Sequence, residues 1–218
     1  MIELLLPEHV SCAVARHDEV AADGLFPQEE AVVRTSVPRR RREFTTVRLC
    51  ARRALAGLGV PPAPVLPGPR GEPRWPAGVV GSMTHCDGFR AAAVAMDSRM
   101  RALGIDAEPH TPLPAGVFEA VTLPTERARL KLGGEVHWDR LLFSAKESVF
   151  KAWYPLTHHN LGFDEADLVF RRTPGATPQG VFSARLLVSV EAAPRSFEGR
   201  WLVRDGLVLT AIAVVTPA

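Results

Sequence analysis

The stretch His137–Tyr154 (HWDRLLFSAKESVFKAWY) decides the fold, because it predicts a long amphipathic helix in the second half of the chain. Its apolar residues recur at helical spacing and predict one buried stripe, which consists of Leu141, Leu142, Ala145, Val149 and Ala152. Pro155 follows directly and is predicted to stop the helix. A helix with one apolar face needs another layer to cover that face, so we expect a sheet beside it.

A second amphipathic helix is predicted from Arg42 to Leu58, where Gly59 and then two prolines give stop signals in the expected order. The two helices resemble each other, and this similarity indicates an internal duplication. Four apolar positions of the first helix match four of the second at a constant offset, namely Phe44, Val47, Leu49 and Ala51 with Trp138, Leu141, Phe143 and Ala145.

Strand patterns follow each predicted helix. The first two strands are expected to join across Thr84–Gly88, and Asp205-Gly206 is a strong hairpin signal. We expect an α+β fold of two similar lobes in a pseudo-twofold arrangement, each a small antiparallel sheet packed with a long helix. The lobes are predicted to be residues 1–110 and 111–218. The predicted strands are residues 78–83, 89–96, 102–108, 167–171, 181–190 and 200–215.

Composition excludes several classes of protein. The chain has 218 residues, and none of its apolar runs approaches the roughly 18 residues of a membrane span. Its first residues, MIELLLPEHV, include an acidic residue and too short an apolar run for a signal peptide, so we expect a cytoplasmic protein. Three widely separated cysteines argue against a structural zinc site and a disulfide framework.

The net charge of +2 does not by itself indicate a nucleic-acid-binding protein. The run Arg39–Arg42, however, suits phosphates or an acidic partner surface. Because aromatic residues do not alternate with these arginines as they do in nucleic-acid-binding motifs, we do not expect a nucleic-acid partner. The alternative is that the run is a solvated helix start.

The pentapeptide Gly104-Ile105-Asp106-Ala107-Glu108 is a candidate metal site. In an extended segment Asp106 and Glu108 project from one face, while Ile105 and Ala107 point into the core. Two adjacent carboxylates repel each other unless a cation or a proton lies between them, and magnesium is commonly held by such pairs. The alternative is a polar strand end that enters a loop at Pro109.

Glu147 and Lys151 lie one helical turn apart on the predicted second helix. They can be an ordinary solvated pair of small energetic value. Aromatic residues at Phe143, Phe150 and Trp153 instead indicate that this helix is largely buried. A buried Glu–Lys pair is costly to keep for stability alone, so burial favours a functional role.

The segment Gly81–Cys86 (GSMTHC) contains small residues and hydroxyls, and we expect it to be a turn whose N–H groups suit a phosphate. His85 is a candidate phosphate donor within it. The alternative is a structural histidine.

In this order, the arginine-bearing helix, Ser82–Cys86, Gly104–Glu108 and Phe143–Ala152 resemble the 4′-phosphopantetheinyl transferases of the large, two-lobed, monomeric group. That group serves nonribosomal peptide, polyketide and siderophore synthesis. The resemblance looks closest to actinobacterial members, through Arg42–Arg48, Gly71-Glu72-Pro73 and Gly104–His110.

The resemblance implies a role for each matching residue. Asp106, Glu108 and Glu147 would surround Mg²⁺, and Glu147 would also be the base for an incoming serine, directly or through water. Lys151 would hold the pyrophosphate and stabilise the leaving group. The contacts to coenzyme A would come from Arg48, Arg52, Arg70, Thr84, His85 and Lys151.

The implied reaction is transfer of the 4′-phosphopantetheine arm of coenzyme A to a carrier-protein serine, with release of 3′,5′-ADP. The implied partners are acyl and peptidyl carrier domains of polyketide, fatty-acid-type and nonribosomal peptide synthases, and we expect a monomer. Arg39–Arg42 and the loop at residues 131–136 are candidate carrier contacts. The main alternative is a non-catalytic module that binds coenzyme A or a carrier protein.

Overall fold

The computed structural model describes residues 1–19, 24–130 and 134–217. The α-helices are α1 (Pro27–Val33), α2 (Pro38–Gly57), α3 (Val117–Val121), α4 (Pro124–Arg129) and α5 (Trp138–Thr157). The strands of the first half are β1 (Ser11–Ala15), β2 (Leu66–Pro67), β3 (Pro73–Arg74), β4 (Val79–Cys86), β5 (Phe89–Met96) and β6 (Met100–Pro109). Those of the second half are β7 (Ala166–Arg172), β8 (Gln179–Leu186), β9 (Ser196–Arg204) and β10 (Leu207–Val215).

The fold is α+β with two lobes, as predicted. The first lobe packs α2 on an antiparallel sheet of order β1-β5-β4, and the second packs α5 on a sheet of order β6-β10-β9-β8-β7. The stripe predicted for α5 is fully buried against the larger sheet, beside the buried side chains of Trp153 and Trp201. The short strands β2 and β3 form a separate hairpin.

The first long helix begins at Pro38, one turn earlier than predicted. Proline suits the first turn of a helix because its missing N–H would have no partner there, and this signal was overlooked. The predicted stop is confirmed. The helix ends at Gly57, and Gly59, with a φ of +72°, donates its N–H to the carbonyl of Ala56.

The prediction that Pro155 stops the second long helix is wrong. α5 continues to Thr157 and is capped by His158, which has a φ of +54° and donates its N–H to the carbonyl of Tyr154. Proline removes only one helical hydrogen bond, and packing holds the last turn in place. Trp153 is fully buried there, and its Nε1–H donates to the carbonyl of His159 at 2.9 Å.

The first hairpin also differs from its prediction. β4 continues through Cys86, so Thr84 and His85 lie on a strand and the turn is only Asp87-Gly88. The strand predicted at residues 181–190 ends at Leu186. The hairpin at Asp205-Gly206 is confirmed, because both residues have a positive φ and connect β9 to β10.

The two sheets meet where β4 runs beside β6. The Ser82 hydroxyl accepts the N–H of Ile105 at 3.0 Å, and the Thr84 hydroxyl accepts the N–H of Ala107 at 3.2 Å. Side-chain hydroxyls therefore replace main-chain carbonyls at this junction. β6 itself pairs with β10 of the larger sheet. The lobe boundary at residue 110 stays a prediction.

Within the described residues, no helix combines the length and the apolar character that a membrane crossing requires.

Candidate functional site

The junction of the two sheets borders a cavity of about 810 Å³. Its walls come from the helices α2 and α5, the strands β4 and β6, and the segment around β3. Except for Arg52, every residue predicted to act at the site lines this cavity. These residues are Arg48, Arg70, Thr84, His85, Asp106, Glu108, Glu147 and Lys151.

Asp106 lies at the centre of the site and is 4% exposed. Its neighbours Ile105 and Ala107 are buried in the core on the other side of β6, as the strand alternation predicted. Its Oδ1 accepts hydrogen bonds from Lys151 Nζ at 2.7 Å and from the Thr84 hydroxyl at 3.1 Å. Its Oδ2 is buried without a hydrogen-bond partner among the described residues. One carboxylate oxygen is thus fixed, and the other is left for a ligand.

The Thr84 hydroxyl has partners within the protein, and its contact with coenzyme A stays a prediction. The hydroxyl donates to Asp106 and accepts from the N–H of Ala107, and both contacts are buried. A strand takes the place of the expected turn, since Gly81–Cys86 belongs to β4, an edge strand that pairs with β5. Thr84 therefore orients Asp106 and is not a free hydroxyl for a phosphate.

Glu147 and Lys151 lie on the same side of α5, and both line the cavity. They do not form the solvated ion pair that was the alternative to a functional role, because Lys151 pairs with Asp106 and also donates to the carbonyl of Ile105 at 3.1 Å. The buried Glu–Lys pair of this helix is a different one. Lys146 is 3% exposed and donates to Glu126 at 2.8 Å. The sequence analysis overlooked this pair because its two members come from different helices.

Glu108 is held by an arginine that the sequence analysis did not consider. Arg140 Nη1 donates to Glu108 Oε2 at 3.0 Å. Burial, followed by the charge of Asp106, raises the pKa of Glu108 to about 6, although Arg140 acts in the opposite direction. The negative charges of Asp106 and Glu108 thus repel each other, as the sequence predicted.

Glu147 lines both the main cavity and a second, smaller cavity. Burial raises the pKa of Glu147 above its ordinary value, and the charge of Lys151 opposes this shift. The second cavity has a volume of about 340 Å³ and shares Glu147 and Phe150 with the first. It is otherwise lined mainly by nonpolar groups, including Leu161, Phe163 and Ala166. Phe143 stacks on Phe163 beside it.

Cationic side chains also line the main cavity. Arg48 donates its Nε–H to the carbonyl of Val65 and lies over the ring of Phe44 at 3.8 Å. Burial lowers the pKa of Arg48 to about 10, so it stays charged at neutral pH. Arg70 lines the cavity from the hairpin of β2 and β3.

His85 and Arg40 line the same cavity. Arg40 Nη1 lies 2.9 Å from His85 Nε2, and both side chains are partly exposed. Burial and the charge of Arg40 lower the pKa of His85, which favours the neutral imidazole. In the sequence, Arg40 stood out only as part of the run Arg39–Arg42. Arg40 lies about two helical turns N-terminal to Arg48 on α2, and this spacing was the signal that would have placed it on the same side of the helix.

The expected ligand contact of Arg52 is not supported, because Arg52 lies outside the cavity. Its guanidinium donates to Glu29 at 2.9 Å and to the carbonyl of Gly24 at 2.7 Å. Glu29 is completely buried. Arg48 and Arg52 are one turn apart on α2, but Arg48 bonds the carbonyl of Val65 whereas Arg52 pairs with Glu29 of α1. Arg52 is therefore a structural cation.

The donor set fits a hard divalent cation in chemical type. Asp106 offers a buried oxygen without a partner, and Glu108 and Glu147 line the same cavity. As the side chains stand in residues 1–19, 24–130 and 134–217, no group of three histidine, cysteine, aspartate or glutamate side chains is close enough to hold one ion. Lys151 and Arg140 instead neutralise two of the three carboxylates.

Comparison with known proteins gives the family. Residues 28–95 match the family described as the 4′-phosphopantetheinyl transferase N-terminal domain, and residues 102–203 match the 4′-phosphopantetheinyl transferase superfamily. The whole chain aligns with 91% of the 4′-phosphopantetheinyl transferase Svp of Streptomyces mobaraensis at 56% identity. The chain belongs to the 4′-phosphopantetheinyl transferase superfamily. It is a transferase similar to actinobacterial members, as the resemblance implied.

Two further relatives support this placement of the transferase. The 4′-phosphopantetheinyl transferase Npt of Nocardia iowensis is 49% identical over 98% of this chain and 99% of its own length. The 4′-phosphopantetheinyl transferase PptT of Mycobacterium tuberculosis is 50% identical over 87% of this chain and 86% of its own length. The two matched regions of the transferase meet between β5 and β6.

Proposed function

We propose that this chain transfers the 4′-phosphopantetheine arm of coenzyme A to a serine hydroxyl of acyl and peptidyl carrier domains and releases 3′,5′-ADP. One observation supports this most strongly. One cavity is lined both by Asp106, Glu147 and Lys151 and by the cationic or imidazole side chains of Arg40, Arg48 and His85. Such a cavity suits a ligand that has a 3′-phosphate at one end and a diphosphate near the carboxylates.

The cations and carboxylates would divide the work of phosphoryl transfer. Arg48, Arg70 and His85 would bind the 3′-phosphate and adenine end. Lys151 would bind the diphosphate, either after its hydrogen bond to Asp106 breaks or while it keeps that bond. Its charge would offset the negative charge that grows on the leaving 3′,5′-ADP. Glu147 would accept the serine proton, directly or through water, and its raised pKa suits this task near neutral pH.

Asp106, Glu108 and Glu147 would hold Mg²⁺, whose charge offsets that of the diphosphate. Thr84 would keep Asp106 oriented for this contact through its hydrogen bond to Oδ1. The second cavity, which shares Glu147 and Phe150 with the first, would receive the less polar pantetheine arm.

We propose synthase carrier domains as partners, including the polyketide, fatty-acid-type and nonribosomal peptide classes. Arg39–Arg42 is one candidate docking surface. These side chains are 45% to 73% exposed, although each lies near an acidic residue of this chain. The second candidate, the loop at residues 131–136, falls partly outside the described residues, since residues 131–133 are not described. The cytoplasmic location and the monomeric state stay predictions.

Mass spectrometry tests the proposal. An apo carrier domain, coenzyme A, Mg²⁺ and this protein should give a carrier adduct with the mass of phosphopantetheine, mapped to one serine. A carrier with that serine replaced by alanine should stay unmodified. Coenzyme A binding without any adduct would favour the non-catalytic binding module instead.

A further inference from the structure

Arg140 lies in the first turn of α5, and its hydrogen bonds connect one cavity carboxylate to the main chain. Its Nη1 donates to Glu108 Oε2 at 3.0 Å. Its Nε donates to the carbonyl of Thr111 at 3.1 Å, and its Nη2 donates to the carbonyl of Pro112 at 2.8 Å. The side chain is only 14% exposed, so these contacts occupy most of its surface.

The segment that follows β6 is fixed independently at two further points. His110 donates its N–H to the carbonyl of Gly206 at 2.8 Å, and Leu113 donates its N–H to Asp139 at 2.8 Å. Arg140 therefore binds Glu108 from a rigid support. The planar guanidinium fixes the direction of each hydrogen bond, which a lysine ammonium cannot do.

Glu108 is correspondingly restricted. Its Oε2 is taken by Arg140, while its Oε1 makes no hydrogen bond within the described residues. The carboxylate is 19% exposed and lines the cavity two residues from Asp106. A side chain on a strand end would otherwise sample several rotamers, and ordering it would weaken the binding of any ligand.

We propose that Arg140 is a positioning residue that holds the Glu108 carboxylate in one orientation, which leaves its second oxygen for a divalent cation shared with Asp106. This inference depends on the proposed function, because the cation is the Mg²⁺ of the proposed reaction. Hydrogen-bond partners of ligating carboxylates typically change metal affinity by about 10- to 100-fold when they are removed.

Two other roles of Arg140 predict different changes in Mg²⁺ affinity when the arginine is removed. An arginine that only competes with the cation for Glu108 would weaken Mg²⁺ binding, so its removal would raise the affinity. An arginine that only anchors residues 111–112 would leave the affinity unchanged, or would change it whether or not Glu108 is present.

Isothermal titration of MgCl₂ into the protein saturated with 3′,5′-ADP distinguishes these cases. We expect Arg140→Gln to weaken Mg²⁺ binding by about tenfold, and Arg140→Lys to cause an intermediate loss because it keeps the charge but not the fork. In a Glu108→Gln background, Arg140→Gln should have no further effect. Should Arg140→Gln fail to fold, Arg140→Lys carries the same comparison.

Unchanged or tighter Mg²⁺ binding in the Arg140 variants would overturn the inference. An equal loss in the Glu108→Gln background would overturn it as well, because Arg140 would then not act through Glu108. Failure of the wild-type protein to bind Mg²⁺ would instead refute the metal part of the proposed function, together with the inference. Absence of a carrier adduct would refute the transfer itself.

Discussion

Arg52 of α2 and Lys146 of α5 make the same contact in the two lobes. Arg52 donates to Glu29 Oε2 at 2.9 Å, and Lys146 donates to Glu126 Oε2 at 2.8 Å. They are separated by the same offset as the four matched pairs of apolar residues on these helices. Each glutamate is completely or almost completely buried.

The two glutamates also have equivalent surroundings. Each is the third residue of a short helix that begins with proline, and each accepts the N–H of the residue before that proline. The Oε1 of Glu29 accepts the N–H of Val65, and that of Glu126 accepts the N–H of Leu168. This repeated network of hydrogen bonds supports an internal duplication better than the apolar matches do.

Arg52→Met should destabilise the protein without affecting the affinity of the folded protein for coenzyme A. Removing one partner of a buried ion pair leaves the other charge uncompensated, at a cost of about 3–5 kcal/mol. Urea denaturation measures the loss, and coenzyme A titration below the unfolding transition measures affinity. Arg48→Met is the matched control on the same helix and should weaken coenzyme A binding. A selective loss of coenzyme A affinity in Arg52→Met would restore its predicted ligand role.

The two lysines of α5 should separate stability from activity. Lys146→Met should cost about 3–5 kcal/mol of unfolding free energy, because Glu126 would be buried without its cation. Lys151→Met also leaves the buried Asp106 without its cation, but the loss of stability should be smaller because Lys151 is 26% exposed, and kcat should fall strongly because Lys151 faces the cavity. The carrier-adduct assay and differential scanning calorimetry check both variants. Equal loss of stability in the two variants would contradict this division.

Glu147→Gln should abolish transfer and keep the fold. Because burial raises the pKa of Glu147, the acid limb of the wild-type kcat profile should lie above the ordinary value of 4.5. As the pH falls through this pKa, the carboxylate gains a proton and can no longer accept one from serine. Single-turnover rates between pH 5 and pH 8 measure the limb. Full residual activity in Glu147→Gln would remove the assigned role.

Glu108→Gln should stabilise the protein in EDTA at pH 7.5. The pKa of Glu108 rises from 4.5 to about 6 on folding, so the folded state binds this proton more tightly than the unfolded state. The group therefore favours folding below pH 4.5, and this advantage is lost as the pH rises through 6. The variant should gain up to about 2 kcal/mol at pH 7.5, with a smaller gain near pH 4.5.

Urea denaturation in EDTA at both pH values measures this gain. A variant less stable than wild type at pH 7.5 would show that the pair with Arg140 outweighs the burial of the charge.

Gly104→Ala should disrupt the packing of α5 on β6 within the second lobe. A Cβ at this position would lie 2.0 Å from the carbonyl oxygen of Ser148, so α5 would have to move away from β6. The same displacement would separate Lys151 from Asp106. We expect loss of stability together with a lower kcat, measured by thermal unfolding and adduct formation. Gly59→Ala, at an open position with a φ of +72° and not among the residues that line the cavity, is a control for backbone strain alone and should leave kcat unchanged.

The sequence by itself determined the two long helices, most of the strands and eight of the residues that line the cavity. These features depend on local patterns, such as the apolar stripe of α5, the alternation around Asp106 and the turn at Asp205-Gly206. Motif order also gave the family, since separate short motifs rarely coincide in one chain by chance.

Only the tertiary structure decided which charged groups pair with each other. Helical spacing placed Lys151 beside Glu147, but the close approach of α5 to β6 gives it to Asp106. The same close approach places Arg140 beside Glu108. Arg52 instead pairs with Glu29 of the short helix α1. Long charged side chains reach partners on other elements, so their pairing depends on distances across the fold that periodicity along one element does not contain.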